Sequence, residues 1–492
     1  MSKDYSNQEF EVKRICDVCV VDAFLAEYIL REVDEATCSY CGEVRITLPL
    51  TDIADRVETA FDEHYHRTSD QPSDYEYMLL ADRESSYEWS REGLCTAEAI
   101  AGASGMSESV ANDIQEILAD RHWDLESAQM GEETAFAADA YYEEKSVSAG
   151  SYTDEWILFE ASLKTEARFF SRAAAAHLAD VFGGIDKLTT IDGRPLVVTV
   201  GPGCQIDHLY RGRVFQSDDT LTAALKRPDT ELGPPPAKFA GAGRMNAPGI
   251  SVFYGADKAE VVVAEVRPPV GSKVAVAKFE ITRQLHLLDL TALPKIYESG
   301  SIFDPGFGRR LERAAFLRSL GKQMTRPVMP GDEALDYLAT QATADFLATE
   351  NKPLLDGIIF PSVQAREGRN IVLFHKSARV EPLDTPEGTS ISTSVGHSTE
   401  EGWETGYTVY EEVQEAQGSN HKDVAEAQVR GAQTLYPDEL FLTDPLRVDP
   451  SSVVVHHVQW VNYHCEPHAV DRHRYTRAAE SDSSPFSFDE DF

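Results

Sequence analysis

A chain of 492 residues with a formal charge of −38 at pH 7 and 42% hydrophobic residues holds enough apolar material for two or three domain cores. Its acidic surface repels DNA, RNA and anionic membranes at long range, which argues against capture of nucleic acid by charge and leaves a local basic pocket for an anionic ligand. The opening Met1-Ser2-Lys3-Asp4-Tyr5 has no apolar signal core, and no run approaches the roughly 20 apolar residues of a membrane span, so the expectation is a cytoplasmic protein with no membrane partner.

Cys16, Cys19, Cys38 and Cys41 are spaced Cys-x2-Cys-x18-Cys-x2-Cys. Each knuckle turns two thiolates towards one cation, and four thiolates complete a tetrahedral shell with no open position, so a structural zinc is expected. Cys95, Cys204 and Cys465 are isolated and read as small buried residues. From Thr51 to about Phe182 the pattern is mainly helical. Ile53, Val57, Ala60 and Phe61 share a face behind a cap at Thr51 or Asp52, and Val110, Ile114, Ile117 and Leu118 form another stripe. A single long helix is expected from about Asp154 to Val181, carrying Trp156, Phe159, Leu163, Phe169, Phe170 and Leu178 and ending at Gly183-Gly184. On it, Arg172 and His177 have the Arg-x4-His spacing that resembles the active-site signature of HEPN ribonucleases, although i and i+5 do not share one helical face.

After Gly184 the texture changes to short β-branched runs separated by Gly and Pro. Leu196 to Val200, His208 to Arg211, Ile250 to Tyr254, Val274 to Phe279, Leu287 to Leu290, Gly357 to Phe360 and Ile371 to Phe374 read as strands. Ala256 to Glu265, Gly308 to Arg318 and Gly331 to Thr349 read as helices between them. Thr385 to Gly406 is rich in Ser, Thr, Glu and Gly and reads as loop or linker. Val453 to Tyr463 alternates like a strand, and Glu480 to Phe492 reads as a disordered acidic end. His456, His457, His464, Cys465, His468 and His473 crowd this part, but strand alternation puts His456 and His457 on opposite faces.

Between Leu209 and Arg267, Arg211 follows a strand, Arg244 sits in a glycine loop, and Tyr254 and Glu265 come from the next two elements. Such a set can hold a phosphorylated, positively charged ring. The residues also carry a resemblance. Leu209-Tyr210-Arg211-Gly212-Arg213, Gly233-Pro234-Pro235-Pro236, Gly243-Arg244-Met245-Asn246-Ala247-Pro248-Gly249, Phe253-Tyr254-Gly255, Ala264-Glu265-Val266-Arg267 and Asp356-Gly357-Ile358-Ile359-Phe360-Pro361-Ser362 resemble the RES domain. The four-cysteine helical part ahead of them is similar to the HEPN-related extension of some RES domains.

RES domains are similar in fold to ADP-ribosyltransferases and degrade NAD, so the resemblance implies cleavage of the bond between nicotinamide and ribose, with phosphate or water as acceptor. Nicotinamide departs neutral and needs no general acid, which suits a single carboxylate, Glu265, stabilising positive charge on the ribose. In that reading Arg211 and Arg244 bind the pyrophosphate as bidentate guanidinium groups, and Asn246 is an amide partner. Tyr254 stacks on the nicotinamide ring. Ser362 hydrogen-bonds the amide or the acceptor, without serving as a covalent nucleophile.

The organisation expected is multidomain: a mainly α, HEPN-like domain over 1–190 with the zinc knuckle, an α+β ADP-ribosyltransferase-like RES domain over 191–380, and a partly disordered C-terminal extension over 381–492 with a late strand. Analogy with the family adds a role as toxin or defence effector and an antitoxin or regulatory protein as partner. Rival readings are transfer of ADP-ribose to a protein or nucleotide, a ribonuclease at Arg172 and His177, and a binding module that senses NAD.

Overall fold

Three short strands, β1 (Arg14–Cys16), β2 (Glu35–Thr37) and β3 (Val44–Pro49), form an antiparallel sheet in the order β1-β3-β2. They lead straight into α1 (Leu50–His64), which buries Ile53, Val57, Ala60 and Phe61. Pro49 holds the cap position with no side-chain cap, so Thr51 and Asp52, expected as caps, lie inside the first turn. With α2 (Thr96–Ser104) and α3 (Glu108–Arg121) these elements close one apolar core around Ile15, Phe61, Ile100 and Ile114. That core also takes in Phe303 from far along the chain, and Ser301 donates to Asp22 at 2.9 Å beside it. The computed structural model describes residues 13–82, 84–329, 331–365, 367–400, 402–413, 444–463 and 465–474; His464 and the acidic stretch Glu480 to Phe492 lie outside them.

The long helix expected from 154 to 181 is two helices, α4 (Gly150–Thr165) and α5 (Arg172–Phe182). The chain breaks at Glu166 (φ −116°, ψ −102°) and passes through Phe170 at φ 60°. Ser171 restarts it, its side chain accepting from the Ala174 amide. Packing explains the break: α5 folds back beside α4, so Trp156, Phe159 and Leu163 meet Leu178, Val181 and Phe182 in one cluster, which a straight helix would have separated. Phe169 and Phe170, expected on the apolar face, are in the break and exposed at 81% and 102%.

The cluster that holds α4 and α5 also contains Leu288, Leu290, Ala314, Leu317, Ile358 and Val372. The boundary drawn at 190 therefore runs through a shared core. The strands concerned belong to an eight-stranded sheet made from β4 (Val197–Val200), β5 (His208–Phe215), β6 (Phe253–Ala256), β7 (Lys273–Ile281), β8 (Leu285–Asp289), β9 (Gly357–Pro361) and β10 (Arg369–Leu373) with one late strand. Between them run α6 (Ala259–Glu265), α7 (Phe307–Thr325) and α8 (Leu338–Thr349). Alternation sets the layers: Leu288, Ile358 and Val372 face α4, α5, α7 and α8, whereas Leu287, Ile359 and Ile371 face a second cluster with Phe253, Phe279 and Leu221. Burial on both faces is why these strands read as continuous apolar runs.

Thr385 to Gly406, expected as loop or linker, contains β11 (Ser390–Thr399) and the start of β12 (Gly402–Glu412), a two-stranded antiparallel ribbon. Its Ser and Thr residues suit a two-sided polar ribbon as well as a linker, and Trp403 closes over Gly396, where an added Cβ would lie 2.7 Å from its ring. The late strand, β13 (Leu446–His457), begins earlier than expected and pairs antiparallel with β7. The sheet order is thus β13-β7-β5-β6-β10-β9-β8-β4, with β8 and β9 parallel and the other neighbours antiparallel. Leu446 and Val448 are buried against the second face, so the C-terminal part after 380 contributes a strand to the main sheet. Among the described residues no helix is long and apolar enough to cross a membrane.

Candidate functional site

The sheet opens at β5 and β6. These two strands pair at a single position, Ala256 opposite Tyr210, and beyond it lies a cavity of about 390 Å³ lined by Arg211, Gly212, Arg244, Tyr254, Glu265 and Asn370 among others. That size falls in the range of small-molecule sites. Glycine is needed on its wall, where a Cβ at Gly212 would meet Val262 at 2.8 Å, and in the loop behind Tyr254, where one at Gly243 would meet the Tyr254 hydroxyl at 2.7 Å.

Arg211 enters the cavity from β5 over the Phe253 ring, 5.1 Å from its centroid. Its buried Nη1 has no hydrogen-bond partner. Burial, then the neighbouring Arg213, push the guanidinium down to about 10, with Tyr254 opposing. A buried cation without a counterion is a costly arrangement that an anionic ligand relieves. Gly212 and Arg211 also border a second cavity, about 620 Å³, with Arg213, Glu231 and Phe239 on its walls. Arg213 itself is exposed and reaches Glu231 at 3.3 Å.

Arg244 comes from the glycine loop. It donates to the Met324 carbonyl at 3.0 Å and lies 4.9 Å from the Tyr337 ring, so part of its fork is committed while its side chain lines the cavity. Asn246 does not line it. Asn246 is 4% exposed, gives Nδ2 to the carbonyls of Gly241, Ala247 and Ile250, and accepts from the Tyr254 hydroxyl at 3.0 Å. These bonds make it the brace of the loop, and the ligand role expected for it has no exposed amide to serve it. The Tyr254 hydroxyl also accepts from the Met245 amide at 2.9 Å; burial is the main reason its phenol is pushed up to about 12. Its ring remains on the cavity wall.

Glu265 ends α6, and Arg267 just beyond turns the chain at φ 45°. Oε1 accepts from Ser362 Oγ at 2.5 Å and from Asn370 Nδ2 at 2.7 Å. The strand before Ser362, β9, is separated from β6 by β10, with Asn370 opposite both Phe360 and Ala256. Ser362 therefore reaches the site through Glu265 and is not on the cavity wall. Asn370 was missed, although it is the polar residue heading the apolar run Ile371-Val372-Leu373-Phe374.

The four cysteines gather beside the N-terminal sheet. Cys16 Sγ lies 3.7 Å from Cys19 and 3.6 Å from Cys41, Cys19 lies 3.8 Å from Cys38, and all four sulfurs are within 4.8 Å of one another. A tetrahedral shell with Zn–S of about 2.3 Å has edges of about 3.8 Å, so the cluster could hold zinc. Burial works against ionising Cys38, but backbone amides of Cys41, Tyr40 and Cys16 outweigh it and bring the thiol down to about 7. Among the described residues this is the one group of three or more His, Cys, Asp or Glu placed to share a metal. Of the other cysteines, Cys95 and Cys204 are partly exposed and Cys465 is exposed, against the expectation that they would be buried. His457 accepts or donates at 2.7 Å with the Tyr407 hydroxyl and forms no shared site with His456.

Arg172 and His177 do not converge. Arg172 is exposed at the first turn of α5, whereas His177 turns inward to Trp156 and Phe159, with ring centroids 5.9 and 5.4 Å away, and Glu155 lies 3.4 Å from its Nδ1. Burial holds its imidazole below the ordinary value.

Set against models of protein families, residues 213–391 match the RES domain. The match starts two positions after Arg211 and includes Arg244, Tyr254, Glu265, Ser362 and Asn370. No curated protein and no solved structure matches the chain.

Proposed function

The chain carries a RES domain, and from that premise we propose that it is an NAD-degrading enzyme that cleaves the bond between nicotinamide and ribose. The observation that supports this most is the pairing, in one cavity, of a guanidinium at Arg211 whose buried Nη1 has no partner with a single fixed carboxylate at Glu265. NAD offers matching parts: an anionic pyrophosphate, and a ribose on which positive charge grows as the pyridinium leaves.

In this reading Arg211, aided by the free part of the Arg244 fork, binds the pyrophosphate. Tyr254 offers its ring to the nicotinamide. As the glycosidic C–N bond breaks, its electron pair passes to the pyridinium nitrogen and nicotinamide leaves neutral. The carboxylate of Glu265 stabilises the oxocarbenium-like ribose. A new C–O bond to phosphate gives ADP-ribose 1-phosphate; one to water gives ADP-ribose and a proton. The ADP-ribosyltransferase-like arrangement of the sheet and the NAD phosphorylase or glycohydrolase activity belong to the same proposal, as does zinc at Cys16, Cys19, Cys38 and Cys41, where it would clip the N-terminal core without taking part in the reaction. Loss of NAD harms a cell, so the proposal extends to a toxin or defence effector held in check by a regulatory partner.

Purified protein incubated with NAD, with and without phosphate, releases nicotinamide, and mass analysis of the second product identifies the acceptor. Glu265→Gln lowers the rate on the order of 1,000-fold. A folded Glu265→Gln protein that releases nicotinamide as fast as the parent removes the basis of the assignment.

A further inference from the structure

We propose that Asn370 is a positioning residue of the NAD-cleaving site: with Ser362 it pins one oxygen of Glu265 so that the other is presented to the ribose. The inference rests on the activity proposed above.

A glutamate at the end of a helix has three side-chain torsions and no intrinsic reason to hold one orientation. Glu265 is held by two donors that converge on the same atom, Oε1, and among the described residues no hydrogen bond is made to Oε2. The asymmetry leaves one oxygen saturated and one available.

Each donor is itself fixed. A serine hydroxyl has one proton and two lone pairs. The Ser362 oxygen accepts from the amides of Gln364 at 3.1 Å and Ala365 at 3.0 Å, so the proton is left for Glu265. The turn that supplies those amides is closed by the Ser362 amide donating to the Gly368 carbonyl at 2.8 Å. A Cβ at Gly368 would meet Val261 at 2.6 Å, so the turn is pressed onto α6, the helix that carries Glu265.

Asn370 approaches from the sheet. Its backbone lies in β10 between β6 and β9, and it is 8% exposed. Its neighbour Arg369 is tied to Asp257 through both its amide, 3.2 Å, and Nε, 2.9 Å. The Asn370 amide is therefore a donor on a central strand, held by pairing with β6 and by the Asp257 tie as well as by the hairpin whose turn carries Ser362, which is the arrangement that keeps a reacting group within a fraction of an ångström. Unlike Ser362, Asn370 also lines the cavity.

The test uses the full chain with NAD. Asn370→Asp keeps the side-chain shape and replaces the donor by an acceptor, and Asn370→Ser removes the contact without adding charge. Both are expected to lower kcat on the order of 100-fold while KM stays within about threefold. In a Glu265→Ala background the same substitutions should change the residual rate by less than about twofold, because the partner through which they act is gone. Crystals of the Asn370→Ser protein should show the Glu265 carboxylate rotated away from its position in the parent. Wild-type kcat in either variant, an equal loss in the Glu265→Ala background, or an unmoved carboxylate overturns the proposal. Failure of the parent protein to cleave NAD overturns the activity instead, and the position of the carboxylate then decides the role of Asn370 alone.

Discussion

The four-cysteine cluster and the sheet cavity solve opposite problems. At the cluster the protein brings four like ligands together from two short knuckles, with sulfur spacings of 3.6–3.8 Å that fit one metal and leave no coordination position over. At the cavity it gathers Arg211, Arg244, Tyr254 and Glu265 from separate elements and leaves the buried Nη1 of Arg211 without a partner. A site that satisfies itself adds stability, whereas a site that withholds a partner from a buried cation gives up stability to hold affinity in reserve. Substitutions at the two should therefore move stability in opposite directions.

The largest effect is expected at the cluster. Cys38→Ser, or removal of metal by a chelator, takes away a ligand whose binding energy is folding energy, and the core around Ile15 and Phe61 should lose ~3 kcal/mol or more. Metal content measured alongside thermal unfolding checks this; a protein that purifies without metal and unfolds unchanged after Cys38→Ser would break the comparison on this side. Release of nicotinamide should persist wherever the sheet stays folded, since no cysteine of the cluster lines the cavity.

Arg211→Met should act with the other sign. The folded state holds this guanidinium at about 10, below the ordinary value of an arginine, so the charged form is disfavoured by folding. For a base with a depressed value, that cost is fully present below about pH 10 and is relieved as pH rises above it, because the unfolded chain then binds the extra proton. At pH 7 the whole cost applies. Replacing the cation with an apolar side chain of similar length should raise stability by about 1–2 kcal/mol while weakening NAD binding by ~2–5 kcal/mol. Chemical denaturation and calorimetry with NAD read the two halves separately, and a destabilised Arg211→Met protein would show that Arg211 is a structural residue after all.

How much of this was legible in the sequence follows from the distance over which each feature is encoded. The cluster was readable because its four ligands declare themselves within Cys16 to Cys41 by spacing alone. The cavity residues were readable from the glycine-flanked arginines and the family resemblance. Ser362 and Asn370 meet Glu265 across 97 and 105 residues, and nothing local shows that β10 intervenes between β6 and β9. Composition misled at the ribbon of β11 and β12, where Ser, Thr and Gly describe a polar two-stranded ribbon as well as a linker. Periodicity misled between α4 and α5, since apolar residues continue through Phe169 and Phe170 although the chain turns back there to build a core that only the tertiary fold reveals.

The smallest effect sharpens the boundary between satisfied and withheld groups inside the cavity itself. Tyr254 contributes two things, a ring on the wall and a hydroxyl that joins the Met245 amide to Asn246. Tyr254→Phe keeps the ring and strands a donor and an acceptor, at a cost of about 1–2 kcal/mol in stability. If the ring is what meets nicotinamide, KM for NAD should change by no more than about threefold, with kcat following only as far as the Gly243–Asn246 loop and Arg244 loosen. Tyr254→Leu should keep apolar bulk, lose the aromatic face and raise KM further than Tyr254→Phe does. Equal KM values for the two variants would mean that Tyr254 belongs, like Asn246, to the brace that holds the loop rather than to the surface that holds the ligand.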